Sequence, residues 1–468
     1  IFFLIYSLFI KMSYSDDGSI PDLISLSQIP VNFQQKIETD LLEPVVFNQG
    51  DAARDGFCRF TLQNKGFLHS HSKLFLSVEA GAGVNDGYFN PVTGIGQIVK
   101  KAVLKIGNKT LNEVSSWDSL FGVKSSLIKN ENNVEREMYT TGRFMNHAFN
   151  YTNGTKDEAP TYQLDNGYEY EDGELHVPTW ALMDTDNKAE SPTYSIDLSD
   201  LFPFLKVNQL PLYMINEPIN IELTFYPTTG YRLQVADSDD NGTASLIRRS
   251  DLKFCADYVY YGESDEMERF ANANKDMSFS FVDYRLVESS VTGGSLTTGL
   301  IRNLGMANRL VPRVITCFAD TGVGEQNILT HSNSIAPPRD AAGVPGIVKY
   351  NIRYNDRFEF TSDVDNTARL FSILTDSEGV PFVTRSEYAG QKNTISTNTL
   401  NGRPQNTNLD AAFFYLGTKL TGGRVGQRGL EINFSGNYAG SGADLMRNFC
   451  EYLRVARLSN GMFDVINA

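Results

Sequence analysis

The sequence predicts an all-β chain of two tandem sandwiches joined by one short helix. Three observations carry this. Apolar residues alternate with period two along most of the chain, the composition favours strands and turns, and one clear helical segment falls a little past the midpoint. At 468 residues the chain is long for one domain and fits two of about 200 residues each. Its 30 Phe, 22 Tyr and 38 Gly suit pleated, half-buried strands linked by turns.

The strands can be read in order. In "FCRFTLQ", Cys58, Phe60 and Leu62 point one way and Arg59, Thr61 and Gln63 the other. "INIELTF" sets Ile219, Ile221, Leu223 and Phe225 against Asn220, Glu222 and Thr224. "LKFCADYVY" places Leu252, Phe254, Ala256, Tyr258 and Tyr260 on one face. "RVITCF" at 313–318, "LEINF" at 430–434 and "YLRVARL" at 452–458 continue the pattern. Each reads as a strand with one packed and one wetter face. Beyond the opening stretch, helical periodicity shows near 116–129 and 197–205. Polar segments at 146–179, 320–346 and 385–411 read as long loops that build an outer surface.

The solitary helix lies in "DYVYYGESDEMERFANANKD", residues 257–276. Gly262 ends the preceding strand and Ser264 is placed to cap. Asp265, Glu266 and Glu268 sit near the positive end of the helix dipole. Met267, Phe270 and Ala271 share one face at three- and four-residue spacing. That stripe is expected to wedge between the sandwiches as a rigid linker.

A formal charge of -15 argues against a surface built to neutralise phosphates, and no basic arm follows Met12. Cys58, Cys255, Cys317 and Cys450 are scattered, form no CxxC pair and read as free thiols. The opening "IFFLIYSLFIK" holds an apolar run of ten, short of the about twenty that span a bilayer. It also lacks the basic start and small-residue cleavage site of a signal peptide. It reads as upstream translation of residues 1–11 with Met12 as the start, the alternative being a truncated signal segment.

Candidate chemistry is sparse. No Gly-Lys dipeptide and no G-x-S-x-G elbow occur, and "GAGVNDG" at 81–87 lacks dinucleotide spacing. His69 and His71 would share a face and could begin a zinc site, but no third ligand follows at a suggestive spacing. Asp237, Asp239, Asn241 and Gly242 match the start of a calcium loop, yet its twelfth position is Arg248; turn chemistry accounts for them. Asp165, Glu169, Glu171, Asp172 and Glu174 could supply paired carboxylates for glycoside hydrolysis but read as a solvated loop. Asn108, Asn150, Asn153, Asn241 and Asn433 begin glycosylation sequons. No catalytic, cofactor-binding or metal residue is assigned, and no cofactor is expected. The pattern points to a structural or binding role.

Four phrases resemble the double jelly-roll major capsid proteins of eukaryotic double-stranded DNA viruses, including virophages, polinton-like viruses and nucleocytoplasmic large DNA viruses. They are "IGQIVKKAVLKIGNKTLNEVSSWDSLF" at 95–121, "DLFPFLKVNQLPLYMINEPINIELTF" at 200–225, "LKFCADYVYYGESDEMERFAN" at 252–272 and "NFCEYLRVARLSNGM" at 448–462. They stand in the family's order; Asn108 after Gly107 and a missing His in the second phrase depart from it. The resemblance implies two tandem eight-stranded antiparallel jelly rolls joined by a short helix. The expected division is an N-terminal segment 1–40, a first roll 41–262, a linker helix 263–276 and a second roll 277–468. It further implies a homotrimer with a nearly hexagonal footprint that tiles an icosahedral shell. Partners would be neighbouring capsomers, penton and minor capsid proteins, with no direct nucleic-acid binding. The place would be the virion, assembled in the host cytoplasm or nucleus. The loops 146–179 and 385–411 would face outward. The rival reading is a carbohydrate-binding or receptor-binding fibre protein that exposes Trp117, Trp180 and Tyr168.

Overall fold

The computed structural model describes residues 35–51, 53–79, 87–88, 94–127, 140–142, 193–227, 234–235, 246–262, 264–291, 299–320, 347–365, 367–378, 415–421, 423–436 and 444–467. The expected start at Met12, the segments 81–87 (apart from Gly87), 146–179 and 385–411, and all but the first residue of 320–346 lie outside the described residues.

The first half contributes β1 (Gln35–Leu42), β2 (Val46–Asn48), β3 (Gly56–Leu62), β4 (Phe67–Leu68), β5 (Lys73–Leu76), β6 (Val78–Glu79), β7 (Gly87–Tyr88), β8 (Val99–Ile106), β9 (Lys109–Ser115), β10 (Tyr194–Asp197), β11 (Leu210–Pro211), β12 (Ile219–Phe225), β13 (Gln234–Val235), β14 (Leu246–Ile247) and β15 (Lys253–Tyr261). The second contributes β16 (Asp276–Val291), β17 (Leu300–Gly305), β18 (Arg313–Asp320), β19 (Ile347–Tyr354), β20 (Arg357–Phe358), β21 (Tyr415–Lys419), β22 (Leu430–Gly436), β23 (Asp444–Ser459) and β24 (Met462–Asn467). The helices are α1 (Trp117–Leu127), α2 (Leu198–Leu201), α3 (Pro203–Val207), α4 (Ser264–Ala273) and α5 (Thr367–Glu378).

Every strand pairing is antiparallel. In the first half β15 carries β1 on one side and β4 and β5, end to end, on the other, with β11 and β10 beyond them. The facing sheet runs β2-β3-β12-β8-β9. In the second half the sheets run β16-β23-β18-β21 and β17-β22-β19-β20, and β24 continues beside β23 where β18 stops. Short pairs β6–β14 and β7–β13 extend the first half. Setting aside β2, β24 and these short pairs, the described residues of each half give eight strand positions along the chain. The two halves share one wiring: a sheet of positions 1-8-3-6 faces a sheet of positions 2-7-4-5. In both, a helix follows the fifth position, α1 after β9 and α5 after β20.

Alternation builds the cores. β3 and β12 bury every second residue, and Phe60 lies opposite Ile221 in register. β22 alternates as read, with Leu430, Ile432 and Phe434 buried. β18 and β23 do not. Val314, Ile315, Thr316 and Cys317 are all buried, as are Met446 through Tyr452. Both faces of this sheet are covered, one by its own sandwich and the other by the first half.

The structure adjusts three further expectations. β1 begins at Gln35, inside the segment expected to precede the first roll, and pairs with β15 over its whole length. α5 was not visible in the apolar rhythm; its Leu370, Ile373 and Leu374 form a helical stripe that packs on β21's side of the second half. Along β15, Tyr260 is half-buried while Val259 and Tyr261 are buried on the opposite face. That face is covered by α4, whose Phe270 stands 5.9 Å from the Phe67 ring, and Phe67 stands 5.2 Å from Tyr261. Met267 and Met277 border this cluster with Tyr213 and Met214. The helix therefore packs chiefly on the first sandwich, and Met277 brings the second sandwich to the border of this cluster.

The β23–β24 hairpin turns on Asn460 and Gly461, with φ of 49° and 80°, the Asn-Gly signature of a two-residue hairpin loop. A Cβ on Gly461 would stand 2.2 Å from Asn216 Nδ2, across the boundary between the halves. Gly461→Ala combines that contact with a left-handed backbone and is expected to cost at least about 1 kcal/mol. Chemical denaturation of the full chain measures it, and an unchanged midpoint would refute the docking role of this turn.

Candidate functional site: the seam between the sandwiches

The two halves meet along a seam of buried charge and stacked aromatics. β9, α1 and α3 line it from the first half; β16, β18, β23 and β24 line it from the second. At its centre Asp283 of β16 is 2% exposed. Its Oδ1 accepts from Asn112 Nδ2 at 2.6 Å, and its Oδ2 from Arg454 Nη1 at 2.6 Å and the Tyr452 hydroxyl at 3.1 Å. Asn112 Oδ1 in turn accepts from the Phe204 amide of α3 at 3.1 Å. One amide side chain thus ties β9 and α3 to β16. Burial raises the Asp283 carboxyl, against the pull of Arg454 and the backbone amides of Tyr284 and Glu113.

A second cluster crosses beside it. Arg447 donates to Glu288 at 2.9 Å and to Ser119 Oγ of α1 at 2.6 Å. Ser119 Oγ donates to Asp118 at 3.2 Å, and the Tyr226 hydroxyl donates to the other Asp118 oxygen at 3.0 Å. In a third cluster Glu451 accepts from Arg313 at 3.0 Å and from the Tyr284 hydroxyl at 2.7 Å, with Lys124 of α1 at 3.6 Å. Lys124 also bonds the Tyr284 hydroxyl and lies 4.6 Å from its ring centroid.

Apolar contacts supply the burial that such charges do not. Phe204 of α3 packs edge-on to Phe279 and Phe281 at 5.9 and 5.0 Å, and Phe279 stacks on Phe463 of β24 at 6.1 Å. Each buried ring is worth about 1.5–3 kcal/mol, whereas a buried ion pair near breaks even against its desolvation. The aromatics therefore hold the seam, and the polar clusters fix its register. The C-terminal hairpin docks on the same side. The Asn216 amide donates to Gly461 O at 2.9 Å, the Phe463 amide to Glu217 at 3.1 Å, and Lys109 Nζ to Phe463 O. A cavity of about 570 Å³ opens on the seam, lined in part by Glu113, Asp283, Arg285, Glu288 and Arg454. Asp283 is already held on both oxygens by protein donors, the disposition of a structural rather than a reactive carboxylate.

No family model matches the sequence, and no curated protein matches it. Solved structures do. A chain of the PBCV-1 virus capsid is similar with a TM-score of 0.58 at 10% identity, over 95% of this chain and 99% of that one. The Faustovirus major capsid protein gives 0.54 at 8% identity, over 92% of each chain. A chain of the Sputnik virophage structure gives 0.53 at 9% identity, over 94% of this chain and 90% of that one. The likeness runs through both halves, and both halves have the eight-position wiring described above. The fold is the double jelly roll.

Other residues singled out in the sequence do not converge on the seam. His69 and His71 lie in the first jelly roll with ring centroids 5.3 Å apart, and His71 Nδ1 is 3.5 Å from Asp197. Among the described residues no group of three or more His, Cys, Asp or Glu side chains is placed to hold a metal. Trp117 is 2% exposed, stacked on Phe121 at 4.5 Å, and donates to Asp200 O, so it cannot offer a ring to a sugar. Trp180, Tyr168, Asp165–Glu174 and Asp237–Gly242 lie outside the described residues. Asn108 sits in an exposed turn, and Asn433 in the middle of β22 between two paired strands. All four cysteines are free thiols, and Cys58, Cys317 and Cys450 are buried. The seam residues themselves escaped the sequence reading. Their one signal was charge within apolar strands, Asp283 in "FVDYRL" and Glu451 in "NFCEYLRV".

Two outcomes test the seam. Asp283→Ala strands Arg454 and Asn112 and is expected to cost about 3–5 kcal/mol, read as a lower denaturation midpoint; a change below about 1 kcal/mol would show the cluster to be ornamental. Burial pushes the Asp118 carboxyl up to about 6 from an ordinary 3.8, against the pull of Arg447 and the Tyr226 hydroxyl. An acid raised on folding binds its proton more tightly when folded. Its stabilisation therefore grows as pH falls from about 7 through 6 towards 3.8, and is lost as pH rises again. Asp118→Asn removes the titration at constant shape; its amide oxygen accepts from one hydroxyl and its NH2 donates to the other. The difference in unfolding free energy between wild type and variant is expected to vary by on the order of 3 kcal/mol across that window; a constant difference would sink the assignment.

Proposed function

We propose that this chain is a viral major capsid protein of the double jelly-roll lineage. Its role is structural: it carries no reaction and needs no cofactor. The single observation behind the reading is the whole-chain likeness to chains from the PBCV-1 capsid, Faustovirus and Sputnik, taken with a seam that makes two jelly rolls one block. Three copies associate into a capsomer with six roll-sized lobes, and capsomers tile an icosahedral shell. The partners are other copies, then penton and minor capsid proteins, and the place is the virion. We take 263–276 as the boundary between the two building units. The net charge of -15 supports a shell that holds nucleic acid without gripping it. An obligate contact between copies buries upwards of about 2,000 Å².

Light scattering on the purified full chain is expected to give three times 52.2 kDa. Electron microscopy of the same material is expected to show particles or sheets with hexagonal packing. A stable single-copy species at micromolar concentration would overturn the reading.

A further inference from the structure

We propose that β1 is a releasable strap: it lifts off β15 while both jelly rolls stay folded, and the clasp that holds it down opens in acid. Among the described residues β1 is an edge strand with one neighbour, paired to β15 along all eight residues from Gln35 to Leu42. Backbone bonds supply much of its hold, because packing supplies so little. None of the residues 36–42 is buried. In the first roll each of the other seven strand positions buries at least one side chain. The first-position strand of the second roll, β16, buries Phe279, Phe281, Asp283 and Tyr284. Ile37 and Leu41 point outward and are 54% and 56% exposed, so lifting the strand forfeits little of the hydrophobic effect.

Charge holds the other side of the strand. Lys65, in the turn between β3 and β4, places its Nζ 2.5 Å from Glu38 Oε1 and 2.7 Å from Asp40 Oδ2. The same ammonium stands 4.7 Å from the centroid of the Tyr258 ring. The Tyr260 hydroxyl donates to the second Glu38 oxygen at 3.1 Å, and Lys36 lies 5.8 Å from the Tyr260 ring. On the outward side Thr39 Oγ1 donates to Asp257 at 2.6 Å. Hydrogen bonds from Lys65 and Tyr260 hold the Glu38 carboxyl below its ordinary 4.5. A carboxylate lowered in the closed form stabilises that form above about 4.5, and the contribution is lost as pH falls through the closed-form value. The hinge is equally local. Glu43 and Pro44 belong to no strand, and the chain is anchored again where the Val45 amide donates to Arg59 O at 2.8 Å and β2 pairs with β3. When β1 leaves, β15 keeps β4 and β5 on its other side, so the core of the first roll stays closed. The released strand bares one edge of β15, a template for pairing with an extended segment.

Amide hydrogen exchange of the full chain, read by mass spectrometry and corrected for the intrinsic rate at each pH, tests the strap. Peptides over 35–42 report β1, and peptides over 219–225 report β12, in the middle of the facing sheet. At neutral pH β1 is expected to exchange at least about a hundredfold faster than β12, through an opening that leaves the rest folded. Lys65→Met is expected to speed β1 by about a further tenfold and to leave β12 unchanged. Between about pH 6 and about pH 3.5 the protection of β1 relative to β12 is expected to fall in wild type, and to fall less in Glu38→Gln/Asp40→Asn. Four results would each overturn the strap. They are β1 and β12 exchanging at one rate in wild type, a Lys65→Met chain with β1 protection unchanged, a Lys65→Met chain in which β1 and β12 speed up together, and equal pH slopes in wild type and the double variant.

Discussion

The carboxylate of Asp283 is the constraint on which the architecture turns. It sits on the first strand of the second jelly roll, yet one of its oxygens is held by Asn112 on the fifth strand of the first. A buried charge tolerates few geometries, because any shift leaves a lone pair or a guanidinium proton without a partner in a medium that cannot screen it. Two sandwiches packed only through phenylalanines could slide by a residue at modest cost. With Asp283, Arg447 and Glu451 each bound on both sides of the boundary, a slide would strand several charges at once. The seam thus resists sliding along the strands.

That stiffness explains why the solitary helix is less important than its isolation suggests. α4 covers Val259, Tyr261 and Phe67, an outward apolar patch at the end of the first sandwich, and its length spans the gap between β15 and β16. It caps the first roll and carries the chain across. The relative pose of the rolls is set elsewhere, by strands distant in sequence: Asn112 and Asp283, Ser119 and Arg447, Lys109 and Phe463.

How much of this was legible follows from range. Period two reports a strand's own pleat, so β3, β12 and β22 were readable from a few residues each. α4 was readable because its caps, acidic first turn and apolar stripe all lie within ten residues. α5 was not, because "RLFSIL" is a compact apolar run that fits a strand as well as a helix. β18 and β23 read as one-sided strands because nothing local tells whether a second surface covers the wetter face. Their buried outward residues include Arg447 and Glu451, which look like solvent residues until their partners arrive from the other half. The four family phrases cover "LKFCADYVYYGESDEMERFAN", the helix that carries the chain across, and "NFCEYLRVARLSNGM", the hairpin that docks on the first half, but not Asp283. A polar seam is a long-range property, and single-sequence pattern does not carry it.

The charge content of the seam has an energetic reason. Within a chain the rolls are tethered, so joining them loses little translational freedom, and the desolvation of several charges can be borne for the sake of register. Between chains, association forfeits an estimated 4–15 kcal/mol of translational and rotational freedom before any contact counts. A joint between separate molecules must recover that loss from apolar area, at about 25 cal/mol for each Å² removed from water. The seam faces no such demand, so it can place Asp283, Arg447 and Glu451 where the covalent link already guarantees the geometry.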